Sequence, residues 1–68
     1  MTFTITMTPD EDGTVVAECP SIPGCISQGR TEAEAEANLM AAIRECLAVR
    51  RELGLPLTVV TKQVEVPA

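Results

Sequence analysis

Strict alternation opens the chain. Phe3, Ile5 and Met7 share one parity and Thr2, Thr4, Thr6 and Thr8 the other, which is the two-residue period of a half-buried β-strand. Pro9-Asp10-Glu11-Asp12-Gly13 breaks the pattern with turn formers and reads as a mobile turn. Thr14 to Glu18 restores the pattern and predicts a hairpin. Pro20 and Pro23 have no N–H to give a ladder, so pairing is expected to lapse there. Gly24 permits a sharp reversal, and Cys25 to Gln28 supplies a short third strand.

The period then changes. Ala35, Leu39, Ala42, Ile43, Cys46 and Leu53 recur at helical spacing, with Leu47 at the margin of the stripe. Glu34, Asn38, Ala41, Glu45 and Glu52 take the other face. Thr31 and Glu34 form a Thr-x-x-Glu capping box. Glu32 and Glu34 lie at the positive end of the helix dipole and Arg50 and Arg51 near its negative end. Gly54 and Pro56 provide the stop. These signals predict a helix from Glu32 to Leu53, about 33 Å long at ~1.5 Å per residue.

Leu55 to Thr61 connects to a last alternating run, Lys62 to Val66, read as a strand with Val64 and Val66 facing inward. The expected fold is one α+β domain over residues 1–68 with element order β-β-β-α-β, one helix packed on one face of a small sheet. A right-handed crossover places the last strand parallel to the first and gives sheet order 3-2-1-4. The opposite sheet face, with Thr2, Thr4, Thr6 and Val16, leaves an apolar strip for a second copy to cover.

Size adds a constraint. A chain of 68 residues buries little surface, so its stability is marginal without help. Three Cys and no His argue against a structural metal, because Cys19 and Cys25 lack zinc-ligand spacing and Cys46 lies far away on the helix. The cysteines read as small buried hydrophobes in a reducing compartment. Homo-oligomerisation, as a dimer or tetramer, is the expected aid. The N-terminus shows neither the basic nor the apolar region of a signal peptide, and no apolar run spans a bilayer. The expectation is a cytoplasmic protein with no membrane partner.

Ten acidic against five basic residues give a net charge of −5. That charge repels phosphate backbones, and Phe3 as the single aromatic offers no stacking platform, so direct nucleic-acid binding is not expected. It suits a basic protein partner. No catalytic residues are identified. Two-metal nuclease chemistry needs converging carboxylates, which the threonine face of the first strand does not offer. A Ser or Cys nucleophile wants a base such as His, and Cys46 sits where the helix dipole opposes a thiolate. No phosphate-binding glycine loop occurs. The chain is expected not to be an enzyme and to need no cofactor. Asp10, Glu11, Asp12 and Glu18 are candidates for steering a partner, with Ile22 and Pro23 in a candidate recognition loop. The competing readings are ordinary surface charge for the former and a simple strand crossing for the latter.

One ordered combination goes further. It runs through Asp12-Gly13, Val16-Ala17-Glu18-Cys19-Pro20, Ile22-Pro23-Gly24-Cys25 and Ser27-Gln28-Gly29, then Thr31, Glu34-Ala35, Asn38-Leu39 and Ala42-Ile43. Over roughly Thr2 to Leu53 the chain resembles the HicB family, antitoxins of bacterial type II toxin–antitoxin pairs. The resemblance implies a partial ribonuclease-H-like fold. It also implies an interaction protein that binds and neutralises a small basic HicA-like ribonuclease toxin. Longer members add a C-terminal DNA-binding module; the residues up to Ala68 carry none, so a stand-alone member without operator binding is expected. The alternative is an orphan self-associating domain acting as a scaffold or ligand-binding remnant without a toxin.

Overall fold

The computed structural model describes residues 1–67. Three strands and a helix follow in order: β1 (Thr6–Pro9), β2 (Val15–Glu18), β3 (Ile26–Gly29) and α1 (Glu32–Glu52). The sheet is antiparallel with order β1-β2-β3. Register is set by Met7↔Ala17 and Ala17↔Ser27 in the middle, with Pro9↔Val15 and Val15↔Gly29 at one end. The expected β-β-β-α succession and α+β class are therefore present.

One layer of helix covers one face of the sheet. Ala17, Cys19, Ile22, Cys25, Ala35, Leu39 and Ile43 form the core, and Phe3, Ile5, Met7, Val15, Ala42, Cys46 and Leu47 pack against it. α1 lies across β3 and β2 more than across β1. The approach to β3 is tight at Gly29, where a Cβ would stand 2.5 Å from the Ala35 backbone nitrogen. Asn38 reinforces this seam by donating from Nδ2 to the Gln28 carbonyl at 2.8 Å.

The helix ends are built from local chemistry. Thr31 Oγ1 accepts from the Glu34 N–H at 3.1 Å. The return bond of the box falls one residue earlier than expected: Glu34 Oε1 accepts from the Arg30 N–H at 3.4 Å. At the other end Gly54 takes φ 69°, and the N–H groups of Gly54 and Leu55 bond the carbonyls of Arg51 and Arg50, a Schellman closure. Arg50 also donates to the Pro56 carbonyl at 2.9 Å and holds the chain that follows.

Four expectations need correction. The first strand pairs only from Thr6, because Pro20 stands where Thr4 would seek a ladder partner and can donate nothing. Leu53 is not part of the stripe. As the C-cap it leaves the helical path, and it is 67% exposed. Among the described residues Lys62–Val66 forms no strand, so the 3-2-1-4 sheet is not completed within this chain. Val64 and Val66 point outward, with 74% and 78% exposure. The physical reason is which face of the tail meets the body. The Val59 N–H bonds the Ser21 carbonyl at 2.7 Å, and Thr61 and Gln63 then line a groove with Met1–Thr4. Alternation turns the even-numbered valines away.

Candidate interaction surface

The six candidate residues do not form one patch. Asp10, Glu11 and Asp12 occupy the β1–β2 turn, at the sheet end marked by the Pro9↔Val15 and Val15↔Gly29 pairs. Glu18 is at the opposite end of β2, about 10 Å away at ~3.3 Å per residue. It is exposed on the outer sheet face, in register with Thr6 and Ile26. Pro23 is exposed in the β2–β3 loop beside Cys46, Val49 and Leu55 of a shallow groove. Ile22 requires correction as a contact residue. It is 1% exposed, among the largest fully buried side chains, and serves the core.

The acidic turn is pinned, against the expectation of mobility. The Asp10 N–H donates to the Thr14 carbonyl at 2.7 Å, and the Gly13 N–H to the Asp10 carbonyl at 3.1 Å. Asp12 Oδ1 accepts from Thr14 Oγ1 at 2.7 Å and from the Thr14 N–H at 3.0 Å. Those two bonds from Thr14, hydroxyl first, hold the Asp12 carboxyl below its ordinary range. Asp10 Oδ1 takes the Glu11 N–H at 2.8 Å. The three carboxylates are thus displayed on a hydrogen-bonded frame, exposed to solvent.

Register adds residues that sequence spacing did not suggest. Because Gly29 pairs with Val15, the start of α1 lies at the same end of the sheet as the turn. Glu32 and Glu34 are exposed there, accompanied by Arg30, whereas Glu36 lines a groove with Met1–Phe3 and Ile5, ahead of β1. Arg44, Arg50, Arg51 and Lys62 fall in the later part of α1 and beyond it. The molecule therefore has an acidic pole formed by a turn and a helix N-terminus. The signal in the sequence was the acidic first turn of the helix, read there only as a dipole complement.

The β2–β3 loop is structural. Its turns are closed by Ile22 N–H to Cys19 carbonyl at 3.0 Å, Cys25 N–H to Ile22 carbonyl at 3.1 Å and Cys19 N–H to Cys25 carbonyl at 3.0 Å. Gly24 at φ 79° makes the reversal. Cys46 is not remote from the other thiols. It lies against Cys25, with Cys19 close by, and all three are unpaired thiols. Burial, then the Cys46 thiol, pushes Cys25 up to about 12. A thiol so raised is inert at neutral pH. Among the described residues no group of three or more His, Cys, Asp or Glu is arranged to hold a metal ion. No helix among them is long and apolar enough to cross a membrane.

The chain is similar to two UPF0150 proteins. It is 48% identical over 44 residues to one from Thermoplasma acidophilum, a match covering 65% of this chain and 64% of that protein. It is 42% identical over 60 residues to another from Synechocystis sp., covering 84% of this chain and 83% of that protein. The match thus spans a little under two thirds of the first relative and most of the second. No family model matches the chain. No solved structure matches it either.

Proposed function

The chain belongs to the UPF0150 family, and from that premise we propose that it is a HicB-like antitoxin domain, a cytoplasmic, non-catalytic protein that binds and neutralises a small basic ribonuclease. The observation that carries this reading is the acidic pole. Asp10, Glu11 and Asp12 stand exposed on a hydrogen-bonded turn at the same end of the sheet as Glu32 and Glu34. Fixed like charges at one end of a molecule of net charge −5 attract a basic surface and speed its capture. A basic ribonuclease uses such a surface to hold RNA, so covering it blocks substrate. Glu18 and Pro23 lie outside the pole and are not needed for this docking. The partial ribonuclease-H-like relation belongs to the same reading.

Low-salt pull-down with the tagged chain from its own cells, eluted by a salt step and identified by mass spectrometry, tests it. The eluted partner must be a small basic protein whose RNA cleavage stops when the chain is added back. The triple change Asp10→Asn, Glu11→Gln, Asp12→Asn should slow association and flatten its salt dependence. A captured ribonuclease that this change does not affect would place docking elsewhere. If no ribonuclease is captured, the second reading gains: an orphan domain that assembles with itself, which the exposed valines of the tail favour.

A further inference from the structure

The tail after Val59 has the pattern of a β-strand without the partner of one. Val60, Lys62, Val64 and Val66 share one parity, and Thr61, Gln63 and Glu65 the other. The polar parity faces the chain's own body, since Thr61 and Gln63 line the groove with Met1–Thr4. The valine parity faces solvent, with Val60 at 95% exposure. Contact with its own chain thus leaves the apolar side of the tail unused.

A receptor for that side exists on the same molecule. Among the described residues the outer edge of β1 has no strand beside it. Because α1 leans toward β3, an open groove of about 540 Å³ runs between the N-terminal segment and the helix. Phe3, Ile5, Leu39, Met40, Ile43 and Leu47 supply its apolar lining. A strand added at the β1 edge and continued along Met1–Ile5, the segment that walls the groove, would direct alternate side chains into it. The lining carries two charged residues, Glu36 and Arg44, eight residues apart along α1, and Glu36 offers an opposite charge to Lys62, the cation on the valine parity.

We infer that residues 60–66 of one copy form the fourth strand of a second copy, pairing with its β1 edge and seating Val64 and Val66 in its groove. Exchange in both directions gives a closed two-fold dimer with no open edge at β1. The inference is independent of the antitoxin reading, because it uses the tail and groove rather than the acidic pole.

Sedimentation equilibrium of the full chain, with a filtered NOE experiment on a mixture of labelled and unlabelled copies, tests it. The expected results are a mass twice the 7.2 kDa chain and intermolecular NOEs from Val64 and Val66 methyls to Phe3, Ile5 and Leu47. Val64→Glu and Val66→Glu should each weaken the dimer by about tenfold or more while the helical circular dichroism is kept. Ile26→Glu, on the outer sheet face, should leave it intact. A monomer at millimolar concentration, valine NOEs confined to one chain, or a dimer broken by Ile26→Glu and untouched by the valine changes would each overturn the inference.

Discussion

Gly29→Ala isolates the seam on which this small fold depends. Gly29 is buried at the end of β3, and its φ is not positive, so the backbone itself accepts alanine. The obstacle is contact. The added Cβ would lie 2.5 Å from the Ala35 nitrogen, 2.8 Å from the Glu34 carbonyl carbon and 3.0 Å from the Ala35 Cα. All three are backbone atoms in the first turn of α1, and no rotamer change moves them. Relief requires the helix start to back off by roughly half an ångström to one, given the ordinary separations of packed atoms. Forced overpacking of this kind costs ~1–3 kcal/mol. Retreat of the helix also stretches the Asn38–Gln28 bond, worth ~1 kcal/mol. The expected loss is about 2–4 kcal/mol, a fall in Tm of roughly 10–25 °C for a domain of this size.

Urea unfolding followed by circular dichroism at fixed protein concentration measures the loss, with an unchanged slope confirming that only the native state is affected. Gly24→Ala is the contrasting control. Its Cβ meets nothing within 4 Å, but its φ of 79° strains any residue with a side chain, for about 1–2 kcal/mol. Gly24→Asn should recover part of that, because Asn tolerates the left-handed region; Gly29→Asn should recover nothing. A Gly29→Ala protein within ~0.5 kcal/mol of the parent would refute the reasoning, since backbone atoms at these distances leave no inexpensive escape.

Three further outcomes follow from the packing and the caps. Leu39→Ala should cost ~2–5 kcal/mol by urea unfolding, whereas Leu53→Ala, on an exposed cap, should stay within ~0.5 kcal/mol; equal effects would contradict the helix face. Thr31→Ala should cost ~1 kcal/mol by removing the acceptor for the Glu34 N–H, and an unchanged midpoint would remove Thr31 as the cap. Cys25 ionises near its ordinary value of 9.0 when unfolded and at about 12 when folded. Its stabilising effect is complete below pH 9.0 and is lost as pH rises toward 12. Urea midpoints should therefore fall across that window, and less so in Cys25→Val; identical slopes in the two proteins would count against the buried thiol.

The elements that sequence alone predicted well are those whose cause is local. Thr31, Glu34, Gly54 and Pro56 sit within a turn or two of the groups they satisfy, and the helix observed, Glu32–Glu52, ends one residue from its predicted limit. Alternation is less complete as information. It assigns Phe3, Ile5 and Met7 to one side correctly, and all three pack on the core. It cannot say where the ladder begins, because that depends on Pro20 across the sheet. In the tail it separates Val64 and Val66 from Thr61 and Gln63 correctly, yet not which set meets the body. That choice is made by the Val59–Ser21 bond, a contact between positions far apart in the chain.

The candidate surface follows the same division. Acidity was legible as composition, but its placement was not. Asp10–Asp12 and Glu18 are close in sequence and lie at opposite ends of β2, whereas Asp10–Asp12 and Glu32–Glu34 are distant in sequence and share one end. Register converts a scattered excess of carboxylates into a pole, and the same operation brings Cys46 against Cys25 and draws Ile22 into the core. A domain this small needs its loops as core, so a residue between two prolines is a poor surface candidate even where the loop itself is exposed. Under the two proposals the acidic end and the valine tail divide the labour: the pole, set by the sheet register, would serve a foreign basic surface, and the tail, set by parity, a second copy. Breaking either by mutation should leave the other intact, because no hydrogen bond or core residue is common to both.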